Sequence, residues 1–223
     1  MMTTLRKAAS AMLVSGLIAS SSALADGPAA YHVTITNLTN AISFTPILVA
    51  SHRRSVPTFE PGEPASPEIT AIAEAGDTSL LAAALGDNPR VVDVQSSGGL
   101  LLPGDSVTVI VRATRGADHV SLAAMMLPTN DGFIALGSVA APRRGSVTYF
   151  SPGYDAGTEP NDEWCMHIPG PTCGGAGPSP GENPDDEGYV HIHRGIHGVG
   201  ELSPSVYDWR NPVAKITVTR IRH

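Results

Sequence analysis

Two short acidic stretches carry the chemistry that the sequence offers first. One reads Pro128-Thr129-Asn130-Asp131-Gly132-Phe133, the other Tyr154-Asp155-Ala156-Gly157-Thr158-Glu159. Each sets carboxylates on a turn beside a glycine, next to an apolar run of strand character. Three carboxylates from two loops, Asp131, Asp155 and Glu159, supply the charged part of a shell for a hard cation. Calcium takes about 6–8 oxygen ligands at roughly 2.3–2.6 Å in flexible geometry. Two solvated turns account for the same residues, since Asp, Asn and Gly are ordinary turn formers.

A second group is His191, His193 and His197. On a strand, His191 and His193 share a face because side chains alternate. His197 follows a glycine turn that allows it to fold back, and His167, Asp208 and His223 are further ligands to weigh. Three imidazoles suit zinc or copper better than calcium. The alternative is that these rings pack and hydrogen-bond around Tyr189, Tyr207 and Trp209. The run Asp185-Asp186-Glu187 reads as a solvated turn. The sequence holds no H-E-x-x-H pair, P-loop or dinucleotide fingerprint. A non-catalytic protein is therefore expected, with a histidine-based metal site of redox or hydrolytic activity as the alternative.

The start of the chain bounds where this chemistry takes place. Arg6 and Lys7 precede an apolar run over residues 8–24 that closes with Ala23-Leu24-Ala25 before Asp26. Basic, apolar and small-x-small segments in that order read as a secretory signal peptide over 1–25. The run is broken by Ser10, Ser15 and serines 20–22, and a spanning helix needs about 20 mainly apolar residues. Residues 26–223 are thus expected as one exported domain without a transmembrane segment, in the periplasm, at the surface or outside the cell. The whole chain carries a net charge of −7, and removing Arg6 and Lys7 makes it more negative. That argues against nucleic acid, whose binding rests on basic contacts to phosphate. The only two cysteines, Cys165 and Cys173, stand eight apart. In an oxidising compartment they are expected to pair, and their spacing is not the C-x₂₋₄-C of structural zinc sites.

The elements that must position these residues read mainly as strands. Alternation or β-branched runs mark residues 31–36, 45–50, 91–94, 106–112, 120–126, 133–136, 188–193 and 213–221. Between 53 and 67 four prolines mark a loop. Ser66 then caps a short helix opened by Pro67, and Gly76-Asp77 divides it from a second over the Leu/Ala run 80–85. These helices are expected to cover an edge or end of a sheet. Residues 151–188 show no apolar period. Asn37-Leu38-Thr39 has the form of a glycosylation sequon and reads as a polar turn. Seven or more short strands without helical crossovers point to an antiparallel β-sandwich.

At Asp131 and Asp155 the chain resembles a known family. The strand running into Pro128-Thr129-Asn130-Asp131-Gly132-Phe133 is similar to the Pro-Ser-Pro-Asp-Trp turn of spondin amino-terminal domains, and Tyr154-Asp155-Ala156-Gly157-Thr158-Glu159 to their Trp-Asp-Ala-Gly-Thr-Asp segment. Residues 211–221 resemble their last strand, so the likeness spans about 30–222. The His-rich stretch 188–209 is similar to bacterial members. Glu159 stands where the family has Asp, and Gly132 where it has an aromatic residue. The resemblance implies an all-β sandwich like the calcium-dependent membrane-targeting (C-two-like) domains. It also implies one calcium ion held by Asp131, Asp155 and Glu159. In animals such domains belong to extracellular-matrix and adhesion proteins, which implies an extracellular or surface ligand without naming it.

Overall fold

Alternation decides which side chains face inward along the first strand. Tyr31, Val33 and Ile35 are buried, while His32, Thr34 and Thr36 between them are partly exposed. Side chains of successive strand residues point to opposite faces, so this pattern gives one apolar and one polar face. The computed structural model describes residues 29–54, 56–114, 116–177 and 185–222. The signal segment expected over 1–25 and the terminal His223 lie outside the described residues.

In chain order the elements are β1 (Ala29–Asn37), β2 (Ser43–Phe44), β3 (Leu48–His52), α1 (Pro67–Ala75), α2 (Ser79–Gly86), β4 (Val91–Ser96), β5 (Ser106–Arg112), β6 (His119–Leu127), β7 (Gly132–Ala140), β8 (Ser146–Ser151), β9 (Tyr154–Asp155), β10 (His191–Ile192), α3 (Pro204–Tyr207) and β11 (Ala214–Arg222). A short 3-10 turn, Cys165–His167, lies between β9 and β10. One sheet runs β5-β1-β11-β8, the other β10-β9-β7-β6-β3-β4 with β2 attached to β6. All pairings are antiparallel. The chain is an all-β sandwich, and its core lies between Tyr31, Val33, Ile35, Ile216 and Val218 on one side and Val49, Leu122, Ala124 and Ile134 on the other.

The second sheet is apolar on its outer face as well. Leu48, Ala50, Ala123, Phe133 and Ala135 pack there against Ile69, Ile72 and Ala73 of α1 and Leu81 and Leu85 of α2. The helices therefore cover the face of this sheet, where an edge or end was expected. That is why β3 and β6 are buried at nearly every position and do not alternate. Fully burying an isoleucine or leucine side chain contributes about 1.5–3 kcal/mol, and this layer buries several. Helix α1 starts as its residues dictate: Ser66 accepts a hydrogen bond from the Ile69 amide at 3.4 Å. It stops at Gly76, whose φ of 66° suits glycine.

Other expectations are refined in detail. The strand expected over 45–50 begins only after Pro46, at Leu48, and the one over 188–193 shortens to His191–Ile192. Strand β8 was not expected from the sequence. Asn37 is 1% exposed, and its amide donates to the carbonyls of Ile42 (2.7 Å) and Leu101 (3.1 Å). It is the polar turn, turned inward. Cys165 and Cys173 form a disulfide. Among the described residues no helix is long and apolar enough to cross a membrane.

Candidate metal centre

The site is built where β6 turns into β7. Thr129 shapes that turn: its hydroxyl donates to the Met126 carbonyl at 2.6 Å and accepts from the Gly132 amide at 2.9 Å. Asp131 is thereby set at the mouth of β7. The short β9 pairs beside it, with Gly132 opposite Asp155 and Phe133 opposite Tyr154. Under this pairing Phe59, Phe133 and Tyr154 form an aromatic cluster with centroids 5.0–5.6 Å apart. Strand β10 adds itself on the far side, placing His191 opposite Asp155. Residues directly opposite on paired strands extend to the same face, so the ring of His191 meets the Asp155 carboxylate.

Asp131 and Asp155 are fully buried, and Glu159 is 1% exposed. One Asp131 oxygen, Oδ2, accepts from the Thr158 amide (2.8 Å), the Glu159 amide (3.1 Å) and the Thr158 hydroxyl (3.3 Å). The other, Oδ1, is buried and has no hydrogen-bond partner. Asp155 Oδ1 accepts from the Gly157 amide at 2.9 Å and Oδ2 from the Asn161 side chain at 2.7 Å. Burial and the neighbouring Asp155 carboxylate push the Asp131 pKa well above the usual carboxylate range. The Thr158 and Glu159 amides act against this, and the Glu159 carboxylate adds to it. Burial also raises Asp155, opposed by the Asn161 bond and the charge of His191 and reinforced by Glu187. These are carboxylates held away from water, with Asp155 disfavouring ionisation of Asp131 and Glu187 disfavouring that of Asp155.

The structure separates the three histidines by role. His193 is 4% exposed, lies against Trp209 at 4.9 Å between centroids, and accepts the Gly195 amide on Nδ1 at 3.0 Å. Burial, helped by His191, Arg194 and His197, lowers its pKa to about 3. The ring is neutral, so with Nδ1 accepting, Nε2 carries the hydrogen and is not a free ligand. His197 is exposed, with Nε2 3.1 Å from the Arg194 carbonyl. His191 is arranged the other way: Nδ1 lies 3.1 Å from the Ile192 carbonyl, which only accepts. Its Nε2 thus keeps the lone pair in the neutral ring, 3.5 Å from Asp155 Oδ1. Of the trio, His191 and His193 reach Asp155, the latter at 3.9 Å, and only His191 offers it a ligating nitrogen. His167 pairs with Asp162 at 2.5 Å and Asp208 with Arg210.

Sequence reasoning missed Glu187, Asn161 and Glu163. The acidic run at 185–187 reads as a solvated turn, yet Glu187 is half-buried. Ligand atoms of Asp155, Glu187 and His191 all lie within 4.8 Å of one another. Gly157 makes this approach possible. Its φ is 68°, and a Cβ there would stand 2.5 Å from the Tyr189 carbonyl oxygen. The Gly188 amide donates to the Gly157 carbonyl at 2.8 Å. Gly132 is similarly required, since a Cβ would come within 2.6 Å of the Thr129 hydroxyl and 3.1 Å of the His193 ring. Glu163 is 2% exposed and receives the amides of His197 (2.6 Å), Gly198 (2.6 Å) and Val199 (3.0 Å). It anchors the loop behind the site. No local signal marks it, because its partners are backbone groups far along the chain.

Fold and site together define a β-sandwich module with a buried acidic centre at one end. The chain matches the model of the spondin N-terminal domain (Spondin_N) family over residues 30–159. It belongs to that family. The match takes in Asp131, Asp155 and Glu159 and stops before the segment that brings Glu187 and His191. No curated protein matches the chain.

Proposed function

We propose that this protein is an exported, non-catalytic binding module in which a calcium ion staples the acidic end of the sandwich. Asp131, Asp155 and Glu159 are its carboxylate ligands. The observation that carries the reading is the Asp131 side chain: fully buried, with Oδ1 lacking any hydrogen bond, among other carboxylates. A buried acceptor without a partner costs about 1–3 kcal/mol, and more when charged. A hard cation that accepts only oxygen ligands suits this donor set. Bound calcium removes the mutual repulsion of the carboxylates and orders the two loops, which then present a surface to an extracellular or cell-surface partner. The disulfide and the family support a location outside the cytoplasm.

The test is the melting temperature of the protein in chelator, and again with calcium, magnesium, zinc or copper added singly. The expected result is a rise with calcium that Asp155→Ala abolishes. A melting temperature indifferent to calcium, or an equal calcium response in Asp155→Ala, removes the reading.

A further inference from the structure

We propose a second cation site, of the zinc class, formed by Asp155, Glu187 and His191 and joined to the acidic centre through the shared Asp155 carboxylate. It does not depend on calcium at Asp131. Asp155 Oδ1 and His191 Nε2 stand 3.5 Å apart. Two ligands each about 2.0–2.1 Å from a tetrahedral zinc ion are separated by roughly 3.4 Å, so this pair already spans one edge of such a tetrahedron. Glu187 closes the triangle within 4.8 Å. Its Oε1 accepts from Asn161 at 3.2 Å, and its Oε2 is buried without a hydrogen bond.

The surroundings orient each ligand as metal sites require. Metal-bound histidines donate their other ring N–H to a carbonyl or carboxylate, which fixes the tautomer. His191 Nδ1 does this to the Ile192 carbonyl, leaving Nε2 to face Asp155. Without a cation or proton between them, a nitrogen lone pair and a carboxylate oxygen at this separation repel. Asp155 is held by Asn161 and Gly157. A second buried group also points at it: the His193 side chain is 1% exposed, and its Nε2 has no hydrogen-bond partner and lies 3.9 Å from Asp155 Oδ2. That N–H faces the oxygen away from His191. Asp155 Oδ2 thus looks toward the His193 donor and Oδ1 toward the His191 nitrogen. An imidazole with two carboxylates selects zinc over calcium. Three protein ligands leave the fourth position to water or to a donor from a bound partner.

The experiment is calorimetric titration of the chelator-treated protein with zinc chloride near pH 7, with the visible spectrum of the cobalt-substituted protein as a second readout. One zinc ion per chain is expected. His191→Ala and Glu187→Gln should each weaken binding by more than about tenfold, the lower end of what changes beyond the ligands already cost. The tetrahedral cobalt bands should disappear in His191→Ala. His197→Ala should bind zinc as the parent does, and Asp131→Asn should keep zinc while losing the calcium response. Absence of stoichiometric zinc, undiminished binding in His191→Ala, or loss in His197→Ala overturns the site. Loss of zinc in Asp131→Asn overturns the separation of two sites. Zinc binding without any calcium response would instead count against the calcium reading alone.

Discussion

Asp131→Asn should move stability in opposite directions with and without calcium. Asparagine is nearly isosteric, and its carbonyl oxygen keeps the place that accepts the Thr158 and Glu159 amides at 2.8 and 3.1 Å. Its NH₂ replaces the buried Oδ1 that has no donor, and it faces a region where Asp155 and Glu159 both act on Asp131. The variant therefore removes an orphaned acceptor, worth about 1–3 kcal/mol, and a like charge. For a chain of this size 1 kcal/mol shifts the melting temperature by about 2–4 °C, so a rise of roughly 2–12 °C is expected in chelator. Calcium at a hundred times its dissociation constant adds about 2.7 kcal/mol to the parent and should add little to the variant. The pH dependence has a definite sign. Burial and Asp155 raise the folded pKa of Asp131 above its ordinary 3.8, so above that pH the folded chain holds a proton the unfolded chain has released. Stability of the metal-free parent then falls with rising pH through the raised pKa. The advantage of the variant should be smallest in acid and grow toward neutrality. Scanning calorimetry of both proteins in chelator and in calcium, from pH 4 to 7.5, measures all of this. A variant that melts below its parent in chelator, or that keeps the calcium response, refutes the reasoning.

Three further outcomes are expected. His193 titrates near 3 when folded and near 6.5 when unfolded, so its contribution is complete above 6.5 and is lost as pH falls toward 3. The stability difference between the parent and His193→Gln in urea should shrink by on the order of 2 kcal/mol from pH 7 to pH 5. A constant difference would show that the ring is not held neutral. Glu163→Ala strips three partly buried amides of their acceptor and should cost about 1–3 kcal/mol. Hydrogen exchange at His197, Gly198 and Val199 should accelerate with it, and continued protection there would contradict the anchoring role. Gly157→Ala meets the Tyr189 backbone at 2.5 Å with φ at 68°; it should cost at least about 1–2 kcal/mol and weaken zinc more than calcium. Equal losses for the two ions would argue that Glu187 and His191 do not depend on this approach.

What was legible in the sequence follows from how local the cause is. The alternation of Tyr31, Val33 and Ile35 is written in the residues because one face of that sheet meets solvent. The second sheet is covered on both faces, so β3 and β6 show burial without alternation. Their apolar runs give the strands, but the helix layer above them is not written there. Asp131 and Asp155 are legible because each stands within two residues of a glycine in a short acidic stretch. Glu187 and Glu163 are not. The first owes its position to the close passage of Gly188 over Gly157, and the second to amides 34–36 residues further on. The histidines illustrate the same limit. Their spacing brings two of them to Asp155, but which nitrogen carries the hydrogen is decided by Gly195 and by the Ile192 carbonyl.

The pairing of β1 with β11 also has a mechanical side. Ala29 lies opposite Arg222, and Asn37 opposite Ala214, so both outer ends of this ladder leave from one pole of the sandwich. The acidic centre lies toward the other pole, where Ala214 pairs with Ser151 just before Tyr154 and Asp155. Tension applied between Ala29 and Arg222 opens the ladder one hydrogen-bonded pair at a time, like a zipper. Tension applied between either of those ends and a partner gripped at the acidic pole runs along the strands. It must shear many backbone hydrogen bonds together. The β1–β11 ladder is therefore weak when pulled apart between Ala29 and Arg222 and strong when the load runs along its strands.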